Sequence, residues 1–129
     1  MTLDELDRLA AIHVMGWRRD DDEHCPSVPL YIGTNALGLT HEKCSVEDWQ
    51  PTRNIAQAWE CWEKILAEAE YCCADISAPY HEGFEIKMRK HMSSHEKGQY
   101  DVHVGGCDQY RSAPEAIVRA CLKAKGIEV

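Results

Sequence analysis

Between Ile55 and Ala69 the apolar residues Ile55, Ala58, Trp59, Trp62, Ile65, Leu66 and Ala69 recur at three-and-four spacing. That period draws one stripe along an α-helix, which two tryptophans make too apolar to leave in water. The helix, opened by Pro51-Thr52, must therefore lie on a sheet or on another helix.

The flanking segments supply candidate partners. Thr2-Leu3-Asp4-Glu5 reads as a capping box, followed by Leu3, Leu6, Ala10 and His13/Val14 on one face and Gly16 as a stop, so a first helix is expected over residues 2–15. Ser112-Ala113-Pro114-Glu115 is a second box ahead of Ala116, Ile117, Ala120 and Cys121, giving a last helix that ends at Gly126. Phe84, Ile86 and Met88 alternate with Glu85, Lys87 and Arg89, and Tyr100, Val102 and Val104 alternate with Asp101 and His103. These are two antiparallel strands, joined by a polar turn between Ser93 and Gly98. The stretch from Trp17 to Gln50, with Pro26, Pro29, Gly33 and Gly38, reads as irregular apart from a short strand at Leu30-Tyr31-Ile32. The expected fold is α+β: a small layered α/β sandwich of three helices packed on an antiparallel sheet.

A chain of 129 residues with 44% hydrophobic content suits one core, so residues 1–129 are expected to form a single domain. No run of apolar residues reaches the roughly 20 that a membrane helix needs, and Met1 leads directly into a charged helix pattern. A host-cytoplasmic protein without a membrane partner is expected. Seven cysteines, an odd number without an export signal, are expected to be reduced, with Cys61 and Cys121 packed as small apolar side chains.

The formal charge of −8 argues against nucleic-acid polymers as partners. Charge is uneven, however: residues 1–83 carry 6 Lys/Arg against 16 Asp/Glu, and residues 84–125 carry 8 against 5. An anionic ligand would meet the C-terminal part.

The candidate chemistry is that of binding. His24-Cys25 and His41-Glu42-Lys43-Cys44 raise the question of zinc, but no Cys-x-x-Cys pair is present, and no metal or cofactor is expected. A Cys-His nucleophilic pair is conceivable among seven of each, yet no motif fixes one, and Gly-rich phosphate loops and a Gly-x-Ser-x-Gly elbow are missing. The residues point to a binding module rather than an enzyme. Arg18-Arg19, Arg53-Asn54, Lys87/Arg89 and Arg111 are the cationic candidates. Arg53, with Asn54, and Arg111 stand at helix starts, where backbone N–H groups and the helix dipole favour an anion and an arginine adds a bidentate fork. Trp59 and Trp62 are assigned to the core, whereas Trp17 and Phe84 lie at element boundaries as possible stacking faces for a base.

Three pieces of the chain, Met15-Gly16-Trp17, Asn54-x-x-x-Ala58-Trp59-x-x-x-Glu63-Lys64 and Ala113-Pro114-x-Ala116-Ile117-x-x-Ala120-x-Leu122, together resemble the phage ABA-sandwich family. Within it, the length and the strand pair are similar to the anti-Thoeris sponge proteins, which sequester the cyclic ADP-ribose isomer made by bacterial immune TIR enzymes. The resemblance implies a homo-oligomer, a hexamer, that binds cyclic nucleotide signals without cleaving them, including cyclic oligonucleotides of CBASS defence. On this reading Arg111, Phe84, Arg53, Trp17, Asn54 and Arg89 are the ligand-binding candidates. A nucleotide or thiol-dependent hydrolase, and a phage scaffold or inhibitor without a small ligand, are the alternatives.

Overall fold

A computed structural model describes residues 1–20, 29–34, 37–68, 71–80, 83–90, 102–104 and 112–129. Helix α1 spans Leu3–Leu9 and opens with the expected capping box: Thr2 Oγ1 accepts from the Glu5 N–H, and Glu5 Oε2 accepts from the Thr2 N–H at 2.9 Å. The expected first helix does not run on as α-helix to residue 15. Ala10–Val14 widen into a π-helical turn in which the Met15 N–H donates to Ala10 O at 3.0 Å, five residues back. The wider turn buries Ala10, Ala11 and Val14 together, and small side chains at 10 and 11 let it pack against α3, which spans Ala113–Ala124. Gly16, at φ +72°, then reverses the chain in a conformation that a residue with a Cβ rarely adopts.

Helix α2 spans Ile55–Ala67, with Asn54 as its cap accepting from the Gln57 N–H. Pro51 to Arg53 form a turn ahead of it, and the Gln57 side chain ties that turn's approach to the helix: its Oε1 accepts from the Gln50 N–H and its amide donates to Asp48 O. Ala58, Cys61, Trp62 and Ile65 are buried against α3 and the π-helical turn. Trp59 and Ile55 are not in the core: they stay 41% and 44% exposed, because α2 packs against helices along a narrow stripe and no sheet covers its other flank among the described residues. Trp59 instead meets Trp62 edge to face, with ring centroids 6.0 Å apart.

Among the described residues the strands form two antiparallel sheets of three rather than one. Strands β1 (Arg18–Asp20), β2 (Leu30–Thr34) and β3 (Thr40–Ser45) lie in the order β1-β2-β3, so the stretch expected to be mostly irregular holds a small sheet. The second sheet has the order β4-β5-β6, from Tyr71–Tyr80, Gly83–Lys90 and Val102–Val104. The expected strand pair is β5 and β6, in the register Ile86↔Val104 and Met88↔Val102, and β4 is an addition. The turn expected at 93–98 lies outside the described residues.

Helix α3 covers β5 and β6, burying Ile86, Met88, Val102 and Val104 under Ile117, Ala120 and Cys121. Helix α1, the π-helical turn and α2 pack on α3 in turn. The result is an α+β sandwich whose three helices share a core with an antiparallel sheet.

Candidate functional site

The six predicted binding residues fall into two groups. Trp17, Arg53 and Asn54 lie around α1 and the start of α2. Phe84 and Arg89 lie on β5, and Arg111 lies outside the described residues, immediately before the Ser112 cap of α3.

In the first group, Arg53 makes one ion pair within the protein. Its Nη2 pairs with Asp4 Oδ1 at 2.9 Å, across a surface where Asp4 is largely exposed. Such an exposed pair contributes little stability, but it places a carboxylate where a ligand phosphate was expected. Asn54 Oδ1 accepts from the Gln57 N–H, so this side chain is a helix cap. The Trp17 ring packs on Trp49 at 4.7 Å between centroids and near Tyr31 at 6.2 Å. One edge also lies over Gly33: a Cβ built there would meet Trp17 Cδ1 at 3.0 Å. The half-buried indole thus belongs to an aromatic cluster.

Beside that cluster is a cleft of about 410 Å³ lined by α1, β1, β2 and residues 46–50. Its volume falls within the range of small-molecule pockets, roughly 300–1,000 Å³. Asp7, Arg8, Arg19, Tyr31, Glu47 and Trp49 are among its walls. Asp7 is 3% exposed and joins α1 to the loop before α2: Oδ1 accepts from the Thr52 N–H at 2.9 Å, and its backbone carbonyl accepts from Trp49 Nε1 at 3.0 Å. Neither Asp7 Oδ2 nor Thr52 Oγ1 has a partner of good hydrogen-bond geometry. Burial raises the Asp7 pKa, opposed by the Thr52 contacts and the Arg53 charge. Burial likewise raises the Tyr31 hydroxyl, against the pull of Arg19 and Arg8 nearby. The cleft therefore combines two guanidinium groups with an aromatic wall, inside a rim of carboxylates.

Sequence reasoning missed Asp7, although a signal was present. It occupies a position of the α1 stripe, four residues after Leu3 and three before Ala10, where an apolar residue is expected.

In the second group, Phe84 is half-buried and packs on the core. Arg89, half-buried, stands opposite Cys73 in the β4–β5 register and, five residues from Phe84, on the other face of the strand. The two do not converge. Lys87, counted with Arg89 as a cationic candidate, is paired: its Nζ meets Glu85 Oε1 at 2.9 Å, and His103 Nε2 approaches the same oxygen at 3.3 Å. The Lys87 hydrogen bond leads in lowering the Glu85 pKa, so this carboxylate stays ionised near neutral pH.

The described thiols are suited to packing. Burial pushes Cys61 up to about 12 and Cys121 well above its ordinary value, and Cys44 is raised for the same reason, so all three remain protonated near neutral pH. Among the described residues no three His, Cys, Asp or Glu side chains group to hold a metal ion, and no helix is long and apolar enough to cross a membrane.

No curated protein and no solved structure matches the chain. The Phage ABA sandwich domain matches residues 8–122, from the last turn of α1 through most of α3. On a match of that extent, the chain belongs to the phage ABA sandwich domain family.

Proposed function

We propose that this chain is a phage anti-defence sponge, which binds cyclic nucleotide immune signals and holds them without cleavage. The preferred signals are cyclic ADP-ribose isomers made by TIR enzymes, with CBASS cyclic oligonucleotides as further ligands. The protein acts in the host cytoplasm as an assembly of identical subunits, a hexamer, and lowers free messenger by mass action.

The start of α3 carries this reading. Ser112 Oγ caps the helix by accepting from the Glu115 N–H, and Arg111 is the residue before it in the chain. A helix of 12 residues offers its first N–H groups and partial positive charge at that end, where an arginine adds a fork for phosphate. Phe84 lies on the strand packed against this helix and supplies an aromatic face. Arg53 already has Asp4 as an ion-pair partner, which favours Arg111 among the phosphate candidates. Against a thiol hydrolase, the three described thiols are held protonated and make poor nucleophiles.

Calorimetry with a cyclic ADP-ribose isomer tests the site. Arg111→Ala removes a charge-assisted contact and weakens binding at least about thirtyfold, close to 2 kcal/mol, with unchanged circular dichroism. Parent-like binding by both Arg111→Ala and Phe84→Ala would exclude this site and shift attention to the cleft beside Trp17 and Arg53.

A further inference from the structure

The cleft of about 410 Å³ between α1 and the first sheet is lined by neither Arg111 nor Phe84. Its floor is fixed: Tyr31 and Trp49 are each 2% exposed, and the Trp49 indole is held by its bond to Asp7 O. Arg19 stands directly opposite Tyr31 in the β1–β2 register, which puts both side chains on one face of the sheet. Arg8 comes to the same place from α1. Burial raises the Tyr31 pKa while the charges of Arg19 and then Arg8 pull it down, which sets both guanidinium groups near the hydroxyl. Two cationic forks on separate elements therefore converge at one end of the cleft. Asp4 and Glu5 line it one helical turn earlier on α1, a rise of about 5 Å. Asp4 pairs with Arg53 rather than with Arg8, although the i,i+4 spacing would suit, so the basic and acidic ends stay distinct. Counting the buried Asp7 and Glu47, four carboxyl groups and two guanidinium groups line the cleft. All lie within a Debye length, so a dianion such as phosphate meets more repulsion there than attraction. A molecule with a negative and a positive end is attracted at both.

We infer that this cleft binds a small zwitterion, an ω-amino carboxylate whose carboxylate lies between Arg8 and Arg19 and whose ammonium lies against Asp4 and Glu5. A planar guanidinium matches a carboxylate in two parallel hydrogen bonds, and the Tyr31 hydroxyl can donate a further one. The helical turn between the two ends sets the length of the ligand at about 5 Å between its charges. An α-amino acid, with a single carbon between ammonium and carboxylate, is too short. 4-Aminobutanoate spans the gap. The site is separate from the one proposed at Arg111 and takes a ligand of another class.

NMR titration of the full chain with 4-aminobutanoate, butanoate, butylamine and inorganic phosphate tests it. The expected result is a saturable shift of the Arg8, Arg19 and Tyr31 amide signals and of the Trp49 indole signal with 4-aminobutanoate. Butanoate and butylamine satisfy one end each and bind about tenfold or more weakly. Arg8→Gln and Arg19→Gln, both at exposed positions, each weaken 4-aminobutanoate by about tenfold with unchanged circular dichroism. Phosphate or butanoate binding as tightly as 4-aminobutanoate would overturn the zwitterion in favour of a plain anion. Cleft signals that do not saturate at millimolar ligand, or parent-like binding by both variants, would overturn the site itself. Binding of cyclic nucleotides through Arg111 is read in a separate experiment, so either site can fail alone.

Discussion

Asp7 ties α1 to the turn before α2 through one carboxylate oxygen, and its replacement separates the hydrogen bond from the charge. Asp7→Ala removes the acceptor of the Thr52 N–H but leaves the backbone carbonyl that receives Trp49 Nε1. An unsatisfied buried donor costs about 1–3 kcal/mol, and loss of the buried charge offsets part of it, so a net loss of about 1–2 kcal/mol is expected at pH 7. For a domain of this size that is a fall of roughly 3–8 °C in Tm. Asp7→Asn keeps an acceptor for Thr52 and adds an N–H donor beside the Thr52 hydroxyl, which has no partner of good geometry, so it equals or exceeds the parent at pH 7. The pH dependence has a definite sign. Because burial raises the folded pKa above 3.8, the folded state holds the proton more tightly than the unfolded chain. That stabilisation is complete below 3.8 and is lost as pH rises through the folded value, so the Asn variant gains on the parent between about pH 4 and pH 7. Urea unfolding at both pH values, followed by tryptophan fluorescence, measures these differences. A parent-like Asp7→Ala together with an Asp7→Asn less stable than it would refute the reasoning.

Three further outcomes are expected. Ser112→Ala removes the α3 cap and lowers unfolding free energy by about 1 kcal/mol in the same assay. Gly33→Ala would bring a Cβ to 2.9 Å from Lys43 Cε and 3.0 Å from Trp17 Cδ1. The lysine chain can swing away but the indole is backed by Trp49, so a shifted fluorescence maximum and a loss of about 1–3 kcal/mol are expected, and an unchanged spectrum would contradict the packing. Cys61 and Cys121 resist an aromatic disulfide reagent at pH 8 in the native protein and react once it is unfolded, because burial holds both thiols protonated and out of reach.

The parts legible from the chain were those that local chemistry decides. Thr2 and Ser112 each cap a helix as expected, the alternation from Phe84 to Met88 matches β5 with Ile86 and Met88 buried, and α2 starts at Ile55 behind an Asn54 cap rather than at Pro51-Thr52. The π-helical turn was hidden because Ala10 and Ala11 are both small and apolar, so the extra residue leaves no break in the stripe. Trp59 was placed in the core because its spacing fits the stripe, yet spacing alone does not tell how wide a face the neighbouring helices cover. Strand β3 shows no apolar alternation because neither face from Thr40 to Lys43 is buried, and its strand character comes from pairing with β2. Arg53 illustrates the limit for the site. Its place before a helix was readable, but Asp4 is 49 residues away, and only the tertiary fold brings that carboxylate within 2.9 Å.

Capture without turnover is the central claim, and it is tested most directly by following the fate of the ligand. The purified protein is incubated with a cyclic ADP-ribose isomer at stoichiometric concentration, separated from free ligand by filtration, denatured by heat, and its supernatant analysed by mass spectrometry. The account predicts that the isomer disappears from the filtrate and returns after heating at its original mass and in nearly its original amount. Recovery of cleaved products would make the protein an enzyme, and an isomer that stays in the filtrate throughout would remove the sponge altogether.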